Sequence, residues 1–572
     1  MSNPAVNKRE DGVYLKVYLD NMVPHLNPTN ISSFDATDFG QRLDSYRLIW
    51  YAVAFGLIAS MVFVFNSQKN YDDGLLTVNK RFPWEPSFFA RFRWISKADV
   101  ILEEADIQAN GRPYRLARGD TDQIVLPVDM IPELNALGIT VLNSRESHSF
   151  SLLGHLTGMD VVRHTSFHVR VLLSYISPAL PGLFAVTGAR ISAAILMEFP
   201  KSNKWTVMKL HKGVVRCIGE AIALSLFGVK MTENNPELVH LTHEHTNNGK
   251  AIILPLDLAT DISEMLVFQV CFALRCVPQI LQPALLWLLP AKWRLLSSWA
   301  KFRSYVIPRV EQLKEERIKD ENKGLESINP DVISWMVEDG RNELERDPKV
   351  LTTLVGSIAA GSTYSITNFC CRTILDLIAH PETLEIICDE IRQKHAEIGG
   401  RWTWEHLNSL EKLESAMKES SRLTPGTLLI YSRVVKKDHV LSNGINLKKG
   451  QFITMSASQR SMNPEIFENP LEYNGLRFCA ADKIEEHRAK PFSSINTDTL
   501  TWGAGRWACP GRIITDMSAK ILLVKLLDEF EFAFPGGKPL RRSVMHEFLF
   551  FNPESDLLVR RREDALGIVF VQ

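Results

Sequence analysis

Apolar and polar positions change texture several times along the chain. From Leu48 to Phe65 (LIWYAVAFGLIASMVFVF) no charge interrupts the apolar run, and as a helix it would reach roughly 27 Å, close to a bilayer core. Its Leu, Ile, Val and Phe residues together favour insertion by on the order of 3 to 6 kcal/mol. Trp50 and Tyr51 sit where interfacial aromatics belong, and Arg42 and Arg47 stop the run. A transmembrane anchor at 48–65 is therefore expected, the alternative being a buried core helix. A cleaved leader fits less well, because the run starts late and lacks a small-residue cleavage site. Residues 66–97 mix Pro83 and Pro86 with aromatic and basic residues, as in a linker along a membrane surface.

A catalytic domain is expected over 98–572. Short apolar runs between Asp99 and Gly138 (DQIVLPVD) predict a small sheet, and apolar residues at three- and four-residue spacing predict long helices from Ser149 to about Arg422. Strand patterns return from Leu429 to Met455. A helix follows Arg512, and Phe530 to Val571 closes in strands. The order predicts a mainly α fold with small β-sheets, an α+β architecture.

Charge narrows the partners. Across 572 residues, 65 Lys and Arg balance 66 Asp and Glu, so no basic field exists to hold nucleic acid. The 8 cysteines are scattered, with no C-x-x-C pair, which argues against structural zinc, a disulfide scaffold or covalent haem attachment. Asn30 opens an Asn-Ile-Ser sequon, usable for glycosylation if the tail 1–47 is lumenal, which leaves the catalytic domain cytosolic.

One cysteine stands apart. In TWGAGRWACPGR (Thr501–Arg512) three glycines and a proline surround Cys509 just before a helical stretch. Gly503, Gly505 and Gly511 permit positive φ and close approach of a flat ligand, and amides at a helix start can donate to a thiolate and lower its pKa. An inert cysteine in a glycine-rich turn, or a G-x-G phosphate loop, are alternatives for the loop alone.

From Trp502 onward this loop resembles the haem loop of the cytochrome P450 family: aromatic-Gly-x-Gly-x-x-x-Cys-Pro-Gly. The resemblance implies a cytochrome P450 fold, haem b held by Cys509 as axial iron ligand, and oxygen activation favoured by the thiolate. Trp507 replaces the usual basic residue beside a haem propionate, which makes Arg506 the nearest basic partner. Glu419 and Arg422 in KLESAMKESSRL match the family's E-x-x-R helix, and Arg477 in NPEIFENPLEYNGLRF matches the arginine of its meander, a structural set. In VGSIAAGSTYSITNF the family's distal run aligns with Ala359 and Ala360, making Thr363 the proton-delivering alcohol and Ser362 the stand-in for an acid. The family's Trp-x-x-x-Arg pair is missing, and His168 and Arg170 in FHVRVLL are the nearest candidates for that contact. The likeness extends over roughly Lys97 to Arg562 and is closest to membrane-bound fungal secondary-metabolism members.

These features predict a haem-thiolate monooxygenase of the endoplasmic reticulum membrane, single-pass, inserting oxygen from O2 into an apolar small molecule such as a terpenoid or polycyclic alkaloid. Nothing in the chain resembles a flavin or iron–sulfur module, so electrons would come from NADPH through a separate cytochrome P450 reductase. A reductase-independent haem-thiolate isomerase or dehydratase, and a non-catalytic haem- or lipid-binding membrane protein, are the alternatives. Val267–Leu288, Ile358, Gly426–Leu429 and Phe548–Phe551 are expected to line the pocket.

Overall fold

The computed structural model describes residues 74–247, 266–275, 277–319, 331–479 and 490–572. All belong to the compact unit Lys69–Gln572. The expected anchor at 48–65 and the Asn30 sequon lie outside the described residues.

The chain enters through β1 (Leu76–Val78) and α1 (Ser87–Ala109). Pro86 precedes α1, Lys97 kinks it at φ −142°, and left-handed Asn110 ends it. The linker expected over 66–97 is therefore folded in its described part. Ala90, Trp94 and Ala98 are wholly buried under the sheet, while Phe88, Phe89 and Phe92 stay exposed on the other face. Asp99–Ala109, expected to open a sheet, continues the helix, because its apolar residues fall at Leu102, Ala105 and Ala109, a helical stripe.

β2 (Tyr114–Ala117) and β3 (Asp122–Val125) pair antiparallel within the expected small sheet, and the short α2 (Ile131–Ala136) and β4 (Leu142–Asn143) follow. Next come α3 (Ser144–Ser151), capped by the Asn143 side chain, and the helical stretch α4 (Phe167–Glu198), which holds a π turn at Leu172–Ile176. Among the described residues α4 alone is long and apolar enough to cross a membrane. Its Phe184, Ile191 and Ile195 are buried in the main core, so much of its apolar surface is already covered.

β5 (Thr206–Lys209), α5 (Leu210–Asn234) and α6 (Pro290–Lys319) lead to α7 (Pro348–Ala379). The Asp347 carboxylate accepts from the Lys349 amide at its start, and Pro381 follows its end. α5 and α6 flank α7. After α8 (Glu411–Leu423), β6 (Leu429–Val435) and β7 (Phe452–Ser456) complete a sheet of order β1-β2-β3-β7-β6-β4. α9 (Arg512–Glu529) is buried for most of its length. β8 (Phe530–Ala533), the hairpin β9 (Arg542–Met545) and β10 (Phe548–Phe551), and β11 (Asp556–Arg561) close the chain. β11 lies between β8 and β5. The fold is mainly helical with small sheets, as the apolar pattern predicts.

Candidate active site

The Cys509 loop is held by its own backbone. The Cys509 amide donates to the Trp502 carbonyl at 2.8 Å, and the Gly503 amide to Leu500 at 2.9 Å. Gly503 and Gly505 have φ of 72° and 64°, values that favour glycine. A Cβ on Gly505 would stand 2.4 Å from the Asn135 amide of α2. Trp502 donates its indole N–H to the Phe492 carbonyl at 2.6 Å, its ring meets Phe492 edge-on at 5.1 Å, and Phe492 stacks on Phe369 of α7 at 4.9 Å. The loop thus hangs from the long helix through two aromatic contacts. Burial pushes the Cys509 thiol up, against the opposing pull of the Gly511 amide and the Arg512 charge. In the protein alone, desolvation outweighs the helix-start amides.

Behind the loop, Glu419, Arg422 and Arg477 meet, as the family resemblance implies. Arg422 donates to both Glu419 oxygens at 2.8 Å, and Arg477 donates to one at 3.0 Å. Their remaining N–H groups reach the carbonyls of Ser461, Pro470 and Glu468 at 2.6 to 2.7 Å. The charges are compensated and the donors used, the condition for burying such a set. Ser421 donates to Thr501 at 3.1 Å, tying α8 to the loop.

On α7, helical phase separates residues that are neighbours in sequence. At about 100° per residue, Ser362 and Ser365 lie about 20° and 40° from Phe369 around the axis, whereas Thr363 lies about 120° from it. Phe369 faces the Cys509 loop through Phe492. Ile358 and Ser362 are part-buried and Gly361 and Ser365 exposed on the same side, and a Cβ on Gly361 would meet nothing within 4 Å. Thr363 is fully buried on the other side, and its hydroxyl has no hydrogen-bond partner. It shares that stripe with Gly356, whose Cβ would come within 2.5 Å of Trp299 in α6. Thr363 thus lies off the stripe that carries Phe369.

The cations also part company. Arg170 is held by Asp339 and Glu345, each at 2.7 Å, and lies over the Phe167 ring; these partners, far away in sequence, take it from the expected propionate role. Arg506 donates to the Leu137 carbonyl and sits at the surface near Trp507. His168 is part-buried with its Nδ1 atom unpartnered, and burial, aided by the nearby His148 and Arg145 charges, lowers its pKa to about 4. His148 has an exposed surface in the protein alone, yet the surrounding protein desolvates its ring and lowers its pKa. Arg145 Nε is buried without a partner.

Three basic residues are unmarked by the motifs: Arg145 and His148, which act on His168, and Arg433, which neighbours Arg506. Arg433 on β6 is buried, donates to the Ser432 carbonyl at 2.8 Å and lies over the Tyr431 ring. Burial lowers its pKa to about 10, and the neighbouring Arg506 charge acts in the same direction. Tyr431 in turn donates to Asn135, the residue packed on Gly505. A signal existed: strand alternation through LLIYSRVV puts a charge inward at Arg433. Buried donors short of acceptors, on elements packed around a cysteine loop, fit a flat ligand bearing carboxylates.

The comparisons agree. A family model described as Cytochrome P450 matches residues 193–559. The chain belongs to the cytochrome P450 family. Cytochrome P450 monooxygenase AN1598 of Emericella nidulans is 27% identical over 489 residues, covering 85% of this chain and 87% of its own. An ent-kaurene oxidase of Gibberella intermedia is 26% identical, covering 91% of this chain and 94% of its own. The solved cytochrome P450DA heme domain superposes with a TM-score of 0.61 at 15% identity, over 86% of this chain and 98% of that one. This cytochrome P450 is a monooxygenase, an oxidoreductase of a haem-dependent family.

Proposed function

We propose that this cytochrome P450 binds haem b through the Cys509 thiolate and hydroxylates, epoxidises or oxidises in several steps a bulky apolar small molecule of fungal secondary metabolism. The observation that carries the reading is the Cys509 loop, with positive-φ glycines, a part-buried thiol and an aromatic tether to α7. Haem, when bound, supplies oxygen activation. Arg433, Arg145, His148 and His168 would receive its carboxylates, Trp502 and Gly503 would support the loop, and Glu419, Arg422 and Arg477 would keep the meander in place.

A terpenoid or polycyclic alkaloid is the substrate class favoured by the apolar side chains around the distal helix. Met545, Phe550, Ile95, Tyr364 and Phe548 cluster beside α7, whereas Leu428 and Leu429 are buried in the core under the sheet with Trp94. Trp287 and Leu288, expected in the pocket, are 61% and 75% exposed and belong to the surface. A relative named for oxidising ent-kaurene supports the terpenoid option. NADPH supplies electrons through a separate reductase, and the run 48–65 supports a single-pass endoplasmic reticulum anchor with the tail 1–47, including Asn30, lumenal.

The test is co-expression with a reductase and candidate apolar precursors, followed by mass spectrometry of products. The reduced protein under carbon monoxide should show the red-shifted Soret band of thiolate-ligated haem. A Cys509→Ala protein that retained the band would overturn the assignment.

A further inference from the structure

We infer that Arg275 is a positioning residue for substrate binding: by gripping Glu547 it sets where the hairpin of β9 and β10 stands beside α7. The inference rests on the apolar-substrate reading above. Arg275 ends the helix Leu266–Arg275, far in sequence from the hairpin it holds.

The hairpin turns through His546 and Glu547, the two residues between the paired Met545 and Phe548. Met545, Phe548 and Phe550 pack with Ile95 and Tyr364, and the Phe550 and Tyr364 rings meet edge-on at 6.2 Å. The Asn368 side chain of α7 donates to the Leu549 carbonyl at 3.0 Å and accepts from the Phe551 amide at 3.2 Å. The apolar strand is thus stitched to α7 beyond the turn. The turn itself is held separately. The His546 amide donates to the Ile95 carbonyl at 3.0 Å, and the Leu428 amide donates to the Glu547 carbonyl at 2.6 Å. Arg275 donates to both carboxylate oxygens of Glu547, at 3.2 and 3.3 Å.

Arg275 is itself fixed. Its Nε donates to Asp120 at 2.9 Å, and Asp120 also accepts from the Thr121 amide at 2.7 Å and pairs with Arg118 at 3.1 Å. Asp120 follows Gly119, whose carbonyl accepts from Arg91 of α1 at 3.1 Å and whose Cβ would stand 2.4 Å from the Ser87 carbonyl. Arg275 and Glu547 are 3% and 5% exposed, so salt and water screen the pair little. A forked guanidinium–carboxylate contact fixes orientation as well as distance. Lysine would keep the charge and lose the fork. A bulky apolar substrate is oriented by shape, so a hairpin free to shift by about 1 Å would admit unproductive poses.

The experiment uses the full chain loaded with haem and two probes that ligate haem iron, 1-methylimidazole and 1-octylimidazole, which differ in the reach of the alkyl tail. Read as Soret shifts, Arg275→Lys should bind 1-octylimidazole about tenfold more weakly than the parent and 1-methylimidazole equally well. Amides in 542–551 should exchange with deuterium about tenfold faster. Glu547→Gln, which breaks the same contact from the other side, should do the same. Arg170→Gln, a loss of ion pairs to Asp339 and Glu345, should lower the melting temperature and change neither probe affinity nor this exchange. Unchanged exchange or unchanged 1-octylimidazole affinity in Arg275→Lys, equal weakening of both probes, or the same loss in Arg170→Gln would each overturn the inference. Loss of haem from both Arg275→Lys and Glu547→Gln would overturn it too, by making the ion set a folding element. No preference of the unsubstituted chain for the longer probe would instead overturn the apolar-substrate reading on which the inference stands.

Discussion

Arg422 lies against Glu419 in a two-pronged ion pair, both contacts 2.8 Å, with neither side chain reached by solvent. Glu419→Gln should strand the Arg422 and Arg477 charges and cost ~3–5 kcal/mol. Denaturant titration should show that loss together with a reduced haem content. A variant as stable as the parent would show that the two arginines find other acceptors.

Gly505→Ala should damage the loop in two separable ways. The left-handed φ of 64° would strain any side chain, and the new Cβ would press on the Asn135 amide at 2.4 Å. A combined cost of about 1–3 kcal/mol is expected. Adding Asn135→Ala should recover the steric part and leave the backbone part, read as a partial return of melting temperature.

Arg433→Gln should weaken the hold on haem, and Arg170→Gln should not. Transfer of haem to an excess of apomyoglobin should be about tenfold faster from the Arg433 variant, a difference of ~1.4 kcal/mol. The Arg170 variant should instead melt earlier, since its partners Asp339 and Glu345 would lose their counter-charge.

His546 gives the fold an acid sensitivity. Burial, with the Arg118 and Arg91 charges acting in the same direction and Glu547 opposing, lowers its pKa to about 4 from the ordinary 6.5. The unfolded chain takes up a proton below 6.5 while the folded one does not. The stabilisation is therefore complete above pH 6.5 and is lost as pH falls toward 4, by roughly 3 kcal/mol. His546→Asn, which tolerates the left-handed φ of 51° there, should flatten the melting-temperature profile between pH 6.5 and 4.

Short-range motifs were legible. The Cys509 loop and the Glu419–Arg422 pair depend on spacing within one turn or helix, and β6 and β7 follow from alternation. The burial of the distal-helix hydroxyls was not legible, because serine or threonine stands at 362, 363, 365 and 367. That Thr363 and Thr367 are wholly buried and Ser365 is exposed is decided by helices from other parts of the chain. Arg170 misled for the same reason: its acids come from Asp339 and Glu345. The stretch 87–97 reads as linker because its exposed phenylalanines mask the burial of Ala90, Trp94 and Ala98.

The pairing of β5 with β11 has a consequence for synthesis. Thr206–Lys209 has its partner in Asp556–Arg561, and the Phe570 ring lies so close to Gly188 in α4 that a Cβ there would come within 2.5 Å of it. A ribosome that has just released the Cys509 loop has therefore made every recognisable motif but not yet the strand that seals the earlier half. A frameshift downstream of Cys509 would leave each motif intact in the gene and still yield a nascent chain with an open seam, a substrate for chaperones and proteases rather than for haem loading.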